Sequence, residues 1–245
     1  MTGRIIAIGD IHGHVTALDA VIDALKPTDQ DTLIFLGDYV DRGPESKAVI
    51  ERLMELQEQY HCRFIMGNHE EMMFEAYYSP DCLGNEWLRI GGSDTIASYG
   101  CQTMDEFTQK ADKAHIKFLT KCEDAVELGD YVFVHAAWEP DTALSEQDRA
   151  TLRYQFLEKA QDTGHKRIIC GHTPQKSGKP VQKGQITCID TGMGLIPDGL
   201  LTAYDLTNER FIQSDRKGNV TSAPAKDLLQ PFQPPSQIKK NAFKK

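Results

Sequence analysis

The chain has no apolar run near the roughly 18 residues needed to cross a bilayer, so no membrane-spanning helix is expected. Nor is a signal peptide expected: Arg4 leads directly into the apolar run Ile5–Ile8, which ends in Gly9-Asp10 and reads as a core strand. Positive charge is scarce. The 27 Lys and Arg residues face 36 Asp and Glu, a formal net charge of -9, the opposite of the basic footprint of a nucleic-acid carrier. The six cysteines (Cys62, Cys82, Cys101, Cys122, Cys170 and Cys188) include no C-x-x-C pair. A zinc–thiolate site is therefore not expected, and the thiols read as reduced residues of a cytoplasmic protein. Internal repeats are absent. With 245 residues, 40% apolar and 26% charged, the chain suits one domain with a sizeable core, or one domain with a small subdomain.

The opening half alternates strand and helix. Arg4–Gly9, Thr32–Gly37 and Arg63–Gly67 are short apolar runs suited to buried strands. Between them, Val15, Leu18, Ile22 and Leu25 recur at helical spacing and stop at Lys26-Pro27, and Val49, Leu53, Leu56 and Tyr60 mark a second helix. This βαβαβ order predicts a largely parallel sheet covered by helices. From residue 70 to about 128, helical patches are broken by Ser79-Pro80, Gly84, Gly91-Gly92 and Gly100, which predicts a helical cap inserted between sheet halves. Strands return at Tyr131–His135, Arg167–Gly171, Gln185–Asp190, Leu201–Leu206 and Glu209–Gln213, the last two joined by a hairpin at Asn208. The expected fold is α/β, two sheets stacked between helices, over residues 1–218. Residues 219–245, rich in Pro and Lys, read as a mobile or surface-draped tail.

Each of the first three strands ends in Gly followed by polar ligand types: Gly9-Asp10-Ile11-His12, Gly37-Asp38 and Gly67-Asn68-His69. His135 closes the fourth strand and Gly171-His172 the fifth. In an open α/β sheet, functional groups gather at the carboxyl ends of strands, so these side chains are expected to converge on one rim. Singly, an Asp after a strand is usually a turn or cap residue, and a core His is usually just hydrogen-bonded. Together they make a donor set of carboxylates and imidazoles suited to Mn, Fe or Zn, and too large for a single ion. Two ions about 3.5–4 Å apart would use it fully, in the manner of two-metal phosphate chemistry.

Three longer stretches sharpen this. Gly9-Asp10-Ile11-His12-Gly13, Gly37-Asp38-Tyr39-Val40-Asp41-Arg42-Gly43 and Gly67-Asn68-His69-Glu70 resemble the signature motifs of the phosphoprotein phosphatase family, and the chain's size is similar to its small bacterial and phage branch. The resemblance covers residues 4 to about 213. It implies the calcineurin-like metallophosphoesterase form of the α-β-β-α sandwich. It also implies that Asp10 and His12 hold one ion, that Asp38 bridges to a second, and that Asn68, His135 and His172 complete the second site. His69 would be the general acid, oriented by Asp41. Arg42 would bind phosphate oxygens, helped by Arg153, with Arg89 as the alternative second arginine. The implied cofactors are two divalent ions, manganese foremost, with iron or zinc as alternatives. The implied reaction is direct attack of a bridging, metal-activated water on phosphoserine or phosphothreonine, with phosphotyrosine as a further substrate, in a monomer acting on phosphoproteins or phosphopeptides. The alternative is a symmetrical bis(5'-nucleosyl)-tetraphosphatase; Glu70 favours the protein-phosphatase branch, since the dinucleotide branch tends to place Asp there. Two departures are Ala136-Ala137 after His135, where eukaryotic members carry glycines, and Met66 before Gly67, where they usually carry Arg. His14, His61, His115 and His165 match no motif position and read as surface or helix-face residues.

Overall fold

Alternation within the first strands sets the architecture. In β1 (Ile5–Ile8), Ile6 and Ile8 face one way and Ala7 the other; in β2 (Thr32–Phe35), Leu33 and Phe35 oppose Ile34. All are buried, so both faces of this sheet must be covered. The computed structural model describes residues 3–162 and 164–234. It shows two six-stranded sheets packed face to face.

The first sheet runs β11-β10-β9-β1-β2-β3. Its parallel part is β1, β2 and β3 (His61–Phe64), joined through α1 (Val15–Leu25) and α2 (Ser46–Gln59). The antiparallel part is β9 (Leu201–Asp205), β10 (Arg210–Ser214) and β11 (Val220–Pro224). The second sheet runs β12-β7-β8-β6-β5-β4, with β4 (Ala125–Leu128), β5 (Tyr131–Val134), β6 (Arg167–Cys170), β7 (Val181–Lys183), β8 (Ile186–Cys188) and β12 (Gln230–Pro231). Ala7, Ile34, Val126, Phe133, Ile169 and Phe211 fill the space between the sheets. The outer face of the first sheet packs Ile6, Leu33 and Phe35 against Leu18, Ile22, Leu53 and Leu56 of α1 and α2. The second sheet is covered by α8 (Arg149–Tyr154) and its flanking loops through Leu152 and Leu157. Each fully buried Leu, Ile or Phe contributes about 1.5–3 kcal/mol, so three such clusters hold the layers in one register. Among the described residues, no helix is long and apolar enough to cross a membrane.

Two boundaries differ from expectation. The helical insertion comprises α3 (Asn68–Tyr78), α4 (Pro80–Trp87), a π-helical turn at Leu88–Gly92, α5 (Ser93–Ser98), α6 (Met104–Lys110) and α7 (Lys113–Leu119). It ends before residue 128, because the buried pair Ala125-Val126 pairs with β5 as a strand of the second sheet. The segment expected to be a mobile or surface-draped tail is built into the fold as far as it is described. Gly218, at φ +83°, turns the chain so that β11 pairs with β10, and α9 (Ala225–Leu228) then leads to β12 beside β7. Pro231 sits in β12, the edge position where a missing N–H costs no ladder bond. Lys239, Lys240, Lys244 and Lys245 lie outside the described residues. Finally, the β9–β10 hairpin forms as expected, with Asn208 bonded to the Asp205 carboxylate at 2.9 and 2.8 Å, but Glu209 rather than Asn208 takes the left-handed turn conformation.

Candidate metal centre

The loops after β1, β2, β3, β5 and β6 meet at one rim, and their backbones are unusually constrained. His12, Asp38, Asp41, Arg42 and His172 all have positive φ, between 45° and 72°. Such conformations in non-glycine residues store strain and cluster where function demands an exact side-chain direction. Close approach explains two strand-end glycines. A Cβ on Gly67 would lie 2.2 Å from Asp38 Oδ1, and one on Gly171 would lie 2.1 Å from Asp10 Oδ1.

Asp38 is the hinge of the site. Its Oδ2 lies 3.5 Å from His12 Nε2 and 4.0 Å from His69 Nε2, while its Oδ1 lies 3.3 Å from His135 Nε2. Two triads result, His12–Asp38–His69 and Asp38–His135–His172, each with ligand atoms within 4.8 Å of one another. Asn68 Oδ1 sits 3.0 Å from His135 Nε2 and 2.9 Å from His172 Nδ1. Asp10 closes the other side and accepts the His172 backbone N–H at 3.1 Å. The far nitrogens of two imidazoles are anchored. His12 Nδ1 bonds the Val40 carbonyl at 2.9 Å, and His135 Nδ1 bonds the Leu36 carbonyl at 2.8 Å. A ring that donates from Nδ1 presents a bare Nε2, which is the orientation a metal ligand needs. Buried oxygen and nitrogen acceptors facing one another without protons between them are costly unless cations fill the gap. The donor set therefore fits two divalent ions sharing Asp38.

Charge follows the same plan. Burial acts to raise the Asp38 pKa, but His135, His69 and His12 outweigh it and hold the carboxylate far below its usual range. Burial raises the Asp10 carboxyl, with Asp190 and Asp38 adding to the effect. Burial lowers His12 and His135, and takes His172 down to about 4, with His135 contributing. His69 differs. Burial disfavours its cation, yet Asp38 and Asp41 prevail and its pKa is raised.

The Calcineurin-like phosphoesterase family matches this sequence over residues 3–192. The chain belongs to that family. The serine/threonine-protein phosphatase SIT4 of Candida albicans is 32% identical over 168 residues, 66% of this chain and 46% of that protein, so the phosphoesterase spans about half the length of that relative. The asymmetrical bis(5'-nucleosyl)-tetraphosphatase PrpE of Oceanobacillus iheyensis is 22% identical over 236 residues, 85% of this chain and 91% of that one. A solved structure of a putative diadenosine tetraphosphatase superposes with a TM-score of 0.62 at 16% identity, covering 91% of this chain and 94% of the other, which is a likeness of fold. Family and geometry agree on a metal-dependent phosphoesterase site.

Around that site the phosphoesterase places the two arginines differently. Arg42 NH1 lies 2.8 Å from His12 Nε2, directly at the rim. Arg153 is buried, and both its terminal nitrogens are ion-paired, one with Glu71 and one with Asp124, leaving only Nε without a partner. Arg89 lies in the π-helical turn of the insertion.

Several contacts that fasten the site together carry no local signal in the sequence. Glu70 is fully buried and accepts the backbone N–H groups of Gly67 (3.0 Å), Asp38 (2.9 Å), Tyr39 (2.7 Å) and Val40 (3.2 Å), so it fastens the third motif to the second. The Asp38 carbonyl accepts from Ile11 and His12, which fastens the second motif to the first. Trp87 of α4 donates its indole N–H to Asp41 Oδ2 at 2.8 Å, and Thr95 donates to Asp41 Oδ1 at 2.6 Å. Asp190 is buried beside Asp10 and accepts the Gly192 N–H at 2.9 Å. Of the histidines set aside from the site, His115 lies on a helix face, that of α7, buried and paired with the Tyr99 hydroxyl at 2.9 Å, whereas His14 is interior and bonds the His12 carbonyl at 2.6 Å.

Proposed function

We propose that this chain is a phosphatase of the phosphoprotein phosphatase branch, hydrolysing phosphoserine and phosphothreonine monoesters, and phosphotyrosine as well. Asp10, His12 and Asp38 would hold one divalent ion, and Asp38, Asn68, His135 and His172 the other. Bound there, the ions supply Lewis-acid charge to phosphate oxygens and acidify a water. The chain's own residues do the rest. His69, raised in pKa and held by Asp41, donates a proton from Nε2 to the departing ester oxygen. Asp41 fixes the tautomer by accepting from Nδ1. Arg42 presents a planar fork to phosphate oxygens. Arg153 is the second phosphate arginine in this scheme, its two terminal nitrogens held by Glu71 and Asp124.

The observation that carries the reading is Asp38 with one oxygen toward each triad and the His69–Asp41 pair on its edge. A dinucleotide hydrolase is the second reading, favoured by the length over which PrpE aligns. The test is kcat/KM for phosphopeptides beside that for diadenosine tetraphosphate, with manganese supplied. A higher value for the phosphopeptides is expected; a large preference for the dinucleotide would reverse the assignment.

A further inference from the structure

An aromatic ring stands open to solvent next to the metal ligands. Phe156 lies with its ring centroid 5.0 Å from that of His172, at an interplanar angle of 31°, and 53% of the residue is exposed. One face therefore covers a ligand imidazole while much of the ring remains available. Its position is held on the following residue. The Leu157 side chain is 1% exposed in the core beneath the second sheet, and the Leu157 N–H bonds Thr173 Oγ1 at 3.0 Å, directly after His172. These two anchors fix the backbone beside Phe156 at the rim. Single exposed apolar residues need no explanation on most surfaces, but this one is fixed at the rim of a site that handles phosphate esters.

Building on the phosphoesterase reading, we propose that Phe156 determines specificity by stacking against a planar aromatic group of the substrate. The two sources of such a group are the ring of a phosphotyrosyl or other aryl ester, and a nucleobase. An aromatic face set beside the reacting centre offers offset or edge contact to either ring and nothing comparable to a seryl or threonyl carbon.

The test uses the full chain with manganese and compares Phe156→Ala, Phe156→Leu and Phe156→Tyr. Phosphotyrosine and phosphoserine peptides of one sequence, and diadenosine tetraphosphate, are the substrates. Binding of phenylphosphonate against methylphosphonate is followed by calorimetry. Stacking of this kind is worth about tenfold. The Ala and Leu variants should lose about that in kcat/KM, through KM, on whichever aromatic ester is used. They should stay within about twofold on phosphoserine, keep the bound manganese, and lose the preference for phenylphosphonate. The Tyr variant should restore both. If the aromatic loss falls on the dinucleotide alone, the ring recognised is a base; if on the phosphotyrosine peptide alone, it is an aryl ester. Equal losses on all substrates, loss of bound metal, or a Leu variant indistinguishable from wild type would overturn the proposal and leave Phe156 as a cover for His172. Failure of the wild-type chain to hydrolyse any of the three would instead defeat the proposed function, with the phosphonate preference still deciding the role of Phe156.

Discussion

The imidazole Nδ1 of His69 and Oδ2 of Asp41 are 2.7 Å apart in a pocket almost closed to solvent. That same carboxylate oxygen also receives the Trp87 indole N–H at 2.8 Å. The insertion thus reaches through the wall of the site and locks the residue that orients the proposed acid. A carboxylate with three side-chain donors on it, those of His69, Trp87 and Thr95, has little freedom to turn. His69→Asn is expected to lower kcat on alkyl phosphates by about 100-fold or more, with both ions retained. Trp87→Phe, which removes only the N–H, should lower kcat by a smaller factor of about 3 to 10. Steady-state kinetics and metal analysis on the same samples check both, and loss of the ions in His69→Asn would make His69 a ligand instead.

Metal dependence follows from Asp38. Hydrolysis of an aryl phosphate should require added divalent metal, cease with a chelator and return on readdition. Asp38→Asn should bind fewer than two ions per chain, because the amide nitrogen cannot serve as a metal ligand as the lost carboxylate oxygen did. Full activity in metal-stripped wild type would refute the assignment.

Glu70 is expected to matter for stability as well as rate. It is the common acceptor for four buried backbone N–H groups. Glu70→Ala leaves these donors without a partner, at a cost of about 2–4 kcal/mol. A thermal melt should show Tm lower by roughly 5–10 °C in the metal-free protein. An unchanged Tm would show that water replaces the carboxylate there.

Acid stability should depend on Asp31, far from the site. Burial acts to raise its pKa, but hydrogen bonds from Arg4 and from the Thr28 N–H outweigh burial and hold it well below the usual range. A carboxyl depressed in the folded state contributes stability that is present above its unfolded pKa of about 4 and is lost as pH falls toward the folded value. Asp31→Asn should cost about 1.5–3 kcal/mol at neutral pH. Urea melts from about pH 6 to about pH 2 should show that difference shrinking as pH falls; a constant difference would sink the argument.

Much of the architecture was legible because it rests on local pattern. Alternating apolar runs announce strands, and Leu18, Ile22 and Leu25 announce a helix face. What misled was composition. The prolines after Gly218 suggested a mobile or surface-draped tail, yet Pro224 and Pro231 occupy edge strands where their missing N–H groups face no partner strand. The insertion was legible as helical, but not its contact with Asp41, since nothing near Trp87 or Thr95 in the sequence refers to a residue 46 or 54 positions away.

By itself the sequence determined which donors exist and which strand end carries each: Asp10, His12, Asp38, Asn68, His69 and His172 follow glycine-terminated strands and His135 closes a strand of its own, a local property of chain direction. Only the tertiary structure decided how those donors face one another. The carboxylate of Asp10 meets the backbone of His172 across 162 residues, the two oxygens of Asp38 divide between two triads, and Phe156 comes to rest on His172. The physical reason is that two sheets must first lock in register through the core between them, and only that packing sets distances between loops that share no stretch of chain.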